Sequence, residues 1–157
     1  TLLYNQLKAD KTSESIKTVT KNSVVDKVSK EIKAYEVSDH FKPGWLNSKE
    51  IFPNIRDYIL NLDERIVEQP TKHYIGYKID NNLFVSLKVY KLGVEIQFKR
   101  TQPTDLNDPD KKVYYIKDSM KYYNQHLSAY TVHNSDELEY AYMLLRQAYK
   151  RHIQLVG

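Results

Sequence analysis

Between Thr71 and Lys99 polar and apolar residues alternate in three successive runs, and this stretch restricts the fold more than any other. A period of two belongs to a strand with one buried face. Thr71–Ile79 sets His73, Ile75, Tyr77 and Ile79 on one side, with Lys72, Tyr74, Gly76 and Lys78 on the other. Leu83–Tyr90 points Leu83, Val85, Leu87 and Val89 inward and Ser86, Lys88 and Tyr90 outward. Val94–Phe98 points Val94, Ile96 and Phe98 inward, leaving Glu95, Gln97 and Lys99 outward. Asp80-Asn81-Asn82, a hairpin turn lacking the usual glycine, and Lys91-Leu92-Gly93 join the runs. The pattern predicts an antiparallel meander whose second face is free or differently covered.

Helical periodicity flanks the meander. Asn47 and Glu50 have capping-box spacing and open a helix with Ile51, Phe52, Ile55, Tyr58, Ile59 and Leu62 on one face; Pro53 is expected in its first turn or at its true start. Asp63–Gln69 reads as a polar stretch ending that helix, and Val113–Ile116 as a short strand. Lys117–Gln125 has no period, and Leu127–His133 reads as a final strand. Asn134 and Glu137 begin a second helix carrying Leu138, Ala141, Tyr142, Leu145, Ala148 and Tyr149. Near the start, Val24, Val25, Val28, Ile32 and Tyr35 recur at helical spacing. The predicted fold is α+β: a mainly antiparallel sheet of four to five strands, helices packed on one face, and an N-terminal helical arm. The predicted division is an arm or linker over 1–45 and a compact domain over 46–157.

Composition narrows the function classes. At 157 residues one core is expected. The longest apolar runs are a few residues, so a membrane-spanning helix is not expected. No cysteine is present, which excludes disulfides and thiolate chemistry and fits a cytoplasmic location. The chain opens with Thr1 rather than methionine, as a piece of a longer protein would. Glycine-rich phosphate loops and nucleophile elbows are absent. The five histidines never fall at i,i+3 or i,i+4. Asp105, Asp108 and Asp110 resemble the start of a calcium loop but lack its glycine and terminal glutamate, so a solvated loop explains them better. No catalytic residue, metal ligand or cofactor is therefore assigned. A metal-dependent nuclease remains the enzymatic alternative.

The net charge is +4, without a polybasic tail, and there are fourteen tyrosines. Basic and aromatic side chains coincide on the outward sheet face: Lys72 and Tyr74, Lys88 and Tyr90, then Lys91, Lys99 and Arg100. Single-stranded nucleic-acid platforms use that mixture, cations for the backbone and rings for the bases. An ordinary protein interface uses it too, so an interaction or dimerisation module without nucleic-acid binding stays open. The stripe Val24, Val28 and Ile32 is expected to pack on its own domain or on a second copy, giving a homodimer.

Over Lys49 to Lys150 the chain resembles a small C-terminal domain of bacterial and archaeal proteins labelled "predicted transport protein", which also occurs in nuclease- and restriction-associated proteins. The matching segments are FPNIRDYILNLD (52–63), EQPTKHYIGYK (68–78), Asn82-Leu83-Phe84, Val94–Phe98, Leu106-Asn107-Asp108-Pro109 and SDELEYAYMLLRQAY (135–149). Members often carry a segment rich in glycine, histidine and tryptophan before the last strand. Lys121–His126 here has neither glycine nor tryptophan. The resemblance implies a non-catalytic accessory role in binding or assembly, beside an upstream domain of a longer chain in a DNA-processing protein; the basic sheet face adds DNA or RNA as the expected partner.

Overall fold

A computed structural model describes residues 34–156. The helix expected near the N-terminus, with its stripe Val24, Val28 and Ile32, lies outside the described residues. One compact unit runs from Tyr35 to Gly157. Its sheet has six strands: β1 (Val67–Pro70), β2 (Ile75–Ile79), β3 (Asn82–Val89), β4 (Val94–Lys99), β5 (Tyr114–Tyr115) and β6 (Leu127–Val132). The spatial order is β1-β2-β3-β4-β6-β5, antiparallel throughout. The helices are α1 (Leu46–Leu60), the five-residue α2 (Ser119–Tyr123) and α3 (Leu138–Val156).

The expected α+β class and antiparallel meander are present. The β2–β3 hairpin turns on Asp80 and Asn81, at φ 50° and 69°. Asp and Asn tolerate this left-handed region better than other non-glycine residues, so a tight turn forms without glycine. Ile75, Tyr77, Val85, Leu87, Val94, Ile96 and Phe98 form the helix-covered face with Tyr130 and Val132. Ile51, Ile55 and Ile59 of α1 and Ala141, Leu144 and Leu145 of α3 complete this core. Each stripe satisfies the other's apolar surface, which is why neither helix needs unusual propensity.

Several local expectations are corrected. Asn47 does not cap α1; Trp45 occupies that position without a side-chain cap bond. Instead Asn47 Nδ2 donates to Leu92 O at 2.7 Å and His133 O at 2.8 Å, tying the helix start to two loops. Pro53 lies inside α1 rather than in its first turn, with its ring exposed. Asp63–Gln69 is not merely polar linker: Val67–Pro70 adds β1 at the sheet edge. Glu68 anchors it, accepting from Arg56 Nε at 2.7 Å and from Tyr77 OH at 2.8 Å. The periodless 117–125 segment contains α2, bracketed by Asp118 and Asn124 at φ 60° and 56°.

Candidate functional site

The sheet face opposite α1 and α3 is half-roofed rather than open. In register across it lie Gly76, Ser86, Gln97 and Ala129, mostly small residues, so the middle of the face is sunken. Ser86 is fully buried and Gln97 nearly so, although alternation had placed both outward. They are covered because the loop before β2 and the segment from α2 to β6 rise on either side. The result is a trough of about 460 Å³ lined by His73, Tyr74, Leu83, Lys88, Gln97 and Lys99, with Tyr123, Gln125 and Leu127 along one wall.

The first wall is set by Thr71. Its Oγ1 donates to Tyr74 O at 2.9 Å and accepts from Tyr74 N at 3.2 Å, closing a tight loop that lifts His73 and Tyr74 over the sheet. His73 was expected to share the inward row with Ile75 and Tyr77. Regular pairing begins only at Ile75, so the alternation does not reach it. Gly76 matters here: a Cβ on it would meet Leu83 Cδ1 at 2.7 Å and the Tyr74 ring at 3.1 Å. Leu83 was also expected inward. The pairing shifts from Tyr77↔Val85 to Lys78↔Leu83, so Phe84 is an extra residue on β3. This bulge sends Phe84 and Val85 into the core together and turns Leu83 to the trough.

The opposite wall is held from below. Ser119 Oγ accepts from Leu127 N at 3.1 Å and donates to Tyr115 OH at 3.0 Å. Gln125 Oε1 accepts from Arg100 N at 3.2 Å. Tyr123 remains 58% exposed and Tyr122 67%, beside the opening.

The charged residues lining the trough are both lysines, although Glu95 stands opposite Lys88 in register at its margin. Lys99 Nζ stands 5.4 Å from the centroid of the Tyr74 ring, a cation–π distance. Among the described residues neither Lys88 nor Lys99 has a carboxylate within salt-bridge distance. Glu95, the nearby acid on β4, is engaged by Gln97 Nε2 at 2.9 Å and by Tyr114 OH at 2.6 Å. Burial, reinforced by Lys88 and Arg100 and opposed by Glu95, pulls the Lys99 amine down to about 8. With Glu95 drawn to Gln97 and Tyr114, the two lysines leave room for an added anion.

The trough gathers Tyr74, Lys88 and Lys99 from the seven residues singled out in sequence. Lys72 is exposed on the loop forming the first wall, and Tyr90 and Lys91 are exposed where β3 ends. Arg100 turns away. At φ 53° it leaves the strand, and its guanidinium donates to Leu83 O at 2.9 Å and meets His152 Nδ1 at 2.9 Å under α3. The 123–127 contribution was missed because α2 has no period to read. The loop aspartates take separate roles: Asp105 pairs with Arg151 at 3.1 Å, Asp108 accepts from Lys112 N, Val113 N and Tyr140 OH, and Asp110 meets Tyr140 OH only through its backbone N, at 3.1 Å. Among the described residues no group of three or more acidic or histidine side chains could hold a metal ion.

A family model described as a domain of unknown function (DUF5655) matches residues 37–152. A Haemophilus influenzae protein described as uncharacterized is 27% identical over 153 residues, covering 95% of this chain and 49% of that protein. The chain thus spans about half the length of this curated relative. No solved structure matches. Among the described residues no helix is long and apolar enough to cross a membrane.

Proposed function

The chain belongs to the DUF5655 family, a domain of unknown function, and from that footing we propose that it is a non-catalytic accessory domain binding single-stranded nucleic acid on the trough face of its sheet. The observation that carries this reading is the pair Lys88 and Lys99, without carboxylate partners, beside the Tyr74 ring in one concave site. Phosphate satisfies the lysines, and a base stacks on the tyrosine without sequence preference. Lys72 on the wall loop and Lys91 beyond β3 extend the cationic track. Arg100 has no part in it, being committed under α3. The resemblance to domains in nuclease- and restriction-associated proteins supports a DNA-processing parent.

The test is fluorescence anisotropy of a short labelled single strand at two salt concentrations. Affinity is expected to fall with salt, with a slope of about 0.7 per phosphate contacted. Lys88→Ala is expected to flatten that slope by about one contact, and Tyr74→Ala to cost about 1–3 kcal/mol. Absence of binding at tens of micromolar in low salt overturns the reading. The protein-interaction module then becomes the better account, resting on exposed Met120, Tyr122 and Tyr123.

A further inference from the structure

A continuous strand and a strand end make different demands on such a site. A groove for several nucleotides is long, and each internal phosphate brings a single negative charge. This trough is short, about 460 Å³, the scale of a site for one small molecule (about 300–1,000 Å³). Two ammonium groups enter it from adjacent strands; Glu95 stands opposite Lys88 in register but outside the lining, its carboxylate taken by Gln97 and Tyr114. One diester would leave one of them uncompensated in a partly desolvated place. A phosphate monoester carries about −1.5 to −2 at neutral pH and offers three acceptor oxygens, enough for both lysines from one phosphorus.

The walls add a second selection. Tyr74 is fixed by Thr71 on one side, and Tyr123 with Gln125 stands on the other, so the space beside the cations is flanked by rings. Gly76 keeps the floor low; any side chain there would displace Leu83 or Tyr74. An inorganic phosphate would satisfy the lysines but leave this aromatic space unfilled.

Building on the strand-binding reading above, we propose that the trough is an end site, taking one terminal nucleotide through its phosphate monoester, with Lys88 and Lys99 on the phosphate and the base against Tyr74. The shared chemistry is a nucleoside monophosphate, carried on a strand end or free in solution.

The full chain is titrated into three oligonucleotides of one sequence: 5′-phosphorylated, 3′-phosphorylated, and hydroxyl at both ends. Each carries its fluorophore at the same internal position; dTMP and inorganic phosphate serve as competitors, and direct dTMP binding is followed by titration calorimetry. One phosphorylated end is expected to bind at least about tenfold more tightly than the hydroxyl strand. Lys99→Gln and Lys88→Gln are expected to erase that gap, with cooperative thermal melts no lower than the parent's reporting an intact fold. Equal binding of all three strands overturns the end site and leaves the strand reading standing. If no strand binds and dTMP does, the monoester site stands and the strand reading falls. If neither strands nor dTMP bind, both fall. Competition by inorganic phosphate as strong as by dTMP removes the role given to Tyr74 and overturns the nucleotide assignment.

Discussion

Lys99 is held where water would suit it better, and that cost makes it diagnostic. Its amine sits at about 8, lowered by burial, by Lys88 and by Arg100, and raised only by Glu95; Tyr74, His73 and Tyr123 supply the remaining surroundings. The unfolded chain holds the proton more tightly than the folded one, so between pH 8 and 10.5 stability rises with pH on account of this group. Lys99→Met keeps the stem's packing and discards the charge. It is expected to stabilise the protein at neutral pH by on the order of 1 kcal/mol in urea titrations while abolishing anion binding. In the unsubstituted protein, strand affinity is expected to fall as pH rises through about 8, because the phosphate then meets a neutral amine. His152 behaves in the opposite pH range. Its Nδ1 meets Arg100 at 2.9 Å, and burial followed by Arg100's charge lowers its affinity for a proton. The Phe84 ring lies 5.4 Å from its own, and Arg151, itself paired with Asp105, donates to the Arg100 carbonyl at 3.1 Å. The unfolded histidine protonates first on acidification, so stability is expected to drop as pH falls below about 6.5. His152→Gln retains an acceptor for Arg100, and its urea midpoint is expected to fall less than the parent's between about pH 7.5 and about pH 5.

Elements far apart in sequence are joined by a few side chains that no local pattern reveals. At the start of α1, Ser48 is fully buried and its Oγ reaches the carbonyls of Tyr90, Lys91 and Gly93, while Asn47 holds Leu92. The β3–β4 turn is thereby pinned to the helix. On its other side Gly93 lies so close to β6 that a Cβ would come within 2.6 Å of Val132 O. Backbone cannot yield as a side-chain tip does, so Gly93→Ala is expected to lower stability by about 1–3 kcal/mol in denaturant titration. Gly76→Ala meets only Leu83 and Tyr74 side chains. It is expected to cost less stability and more of the strand affinity. This division explains what was legible beforehand. The meander could be read because alternation is a local signal repeated three times. β1 could not, since Val67–Pro70 becomes a strand through Arg56 and Tyr77 gripping Glu68. The bulge at Phe84 exists only as a mismatch between two strands, so Leu83 was assigned to the wrong face. Asn47 had capping spacing, but the helix begins one residue before it and its Nδ2 is turned to Leu92 O and His133 O.

For the molecule as a whole, the +4 charge is too small and too evenly spread to make a strong steering field, so affinity has to come from local arrangement. The residues identified in the core run from Ile51 to Ala148, and those lining the trough from His73 to Leu127. Both lie within the compact unit that begins at Tyr35. A chain consisting of residues 35–157 is therefore expected to melt at the temperature of the full chain and to bind the labelled strand with the same salt slope. A lower melting point, or a slope smaller by one contact or more, would mean that residues 1–34 contribute to the core or the trough. Association is the property expected to change. The sequence stripe Val24, Val28 and Ile32 forgoes on the order of 1.5 kcal/mol per side chain if left in water, which favours the proposed self-association. Light scattering at micromolar concentration should find the full chain larger than a monomer and the 35–157 chain monomeric. Two monomers would dismiss the stripe as an interface, whereas two dimers would move the interface onto the α+β unit, where Met120, Tyr122 and Tyr123 are exposed on α2 and Tyr123 also lines the trough. In that last case strand binding and dimerisation would compete for one surface, and raising protein concentration would weaken apparent affinity rather than leave it constant.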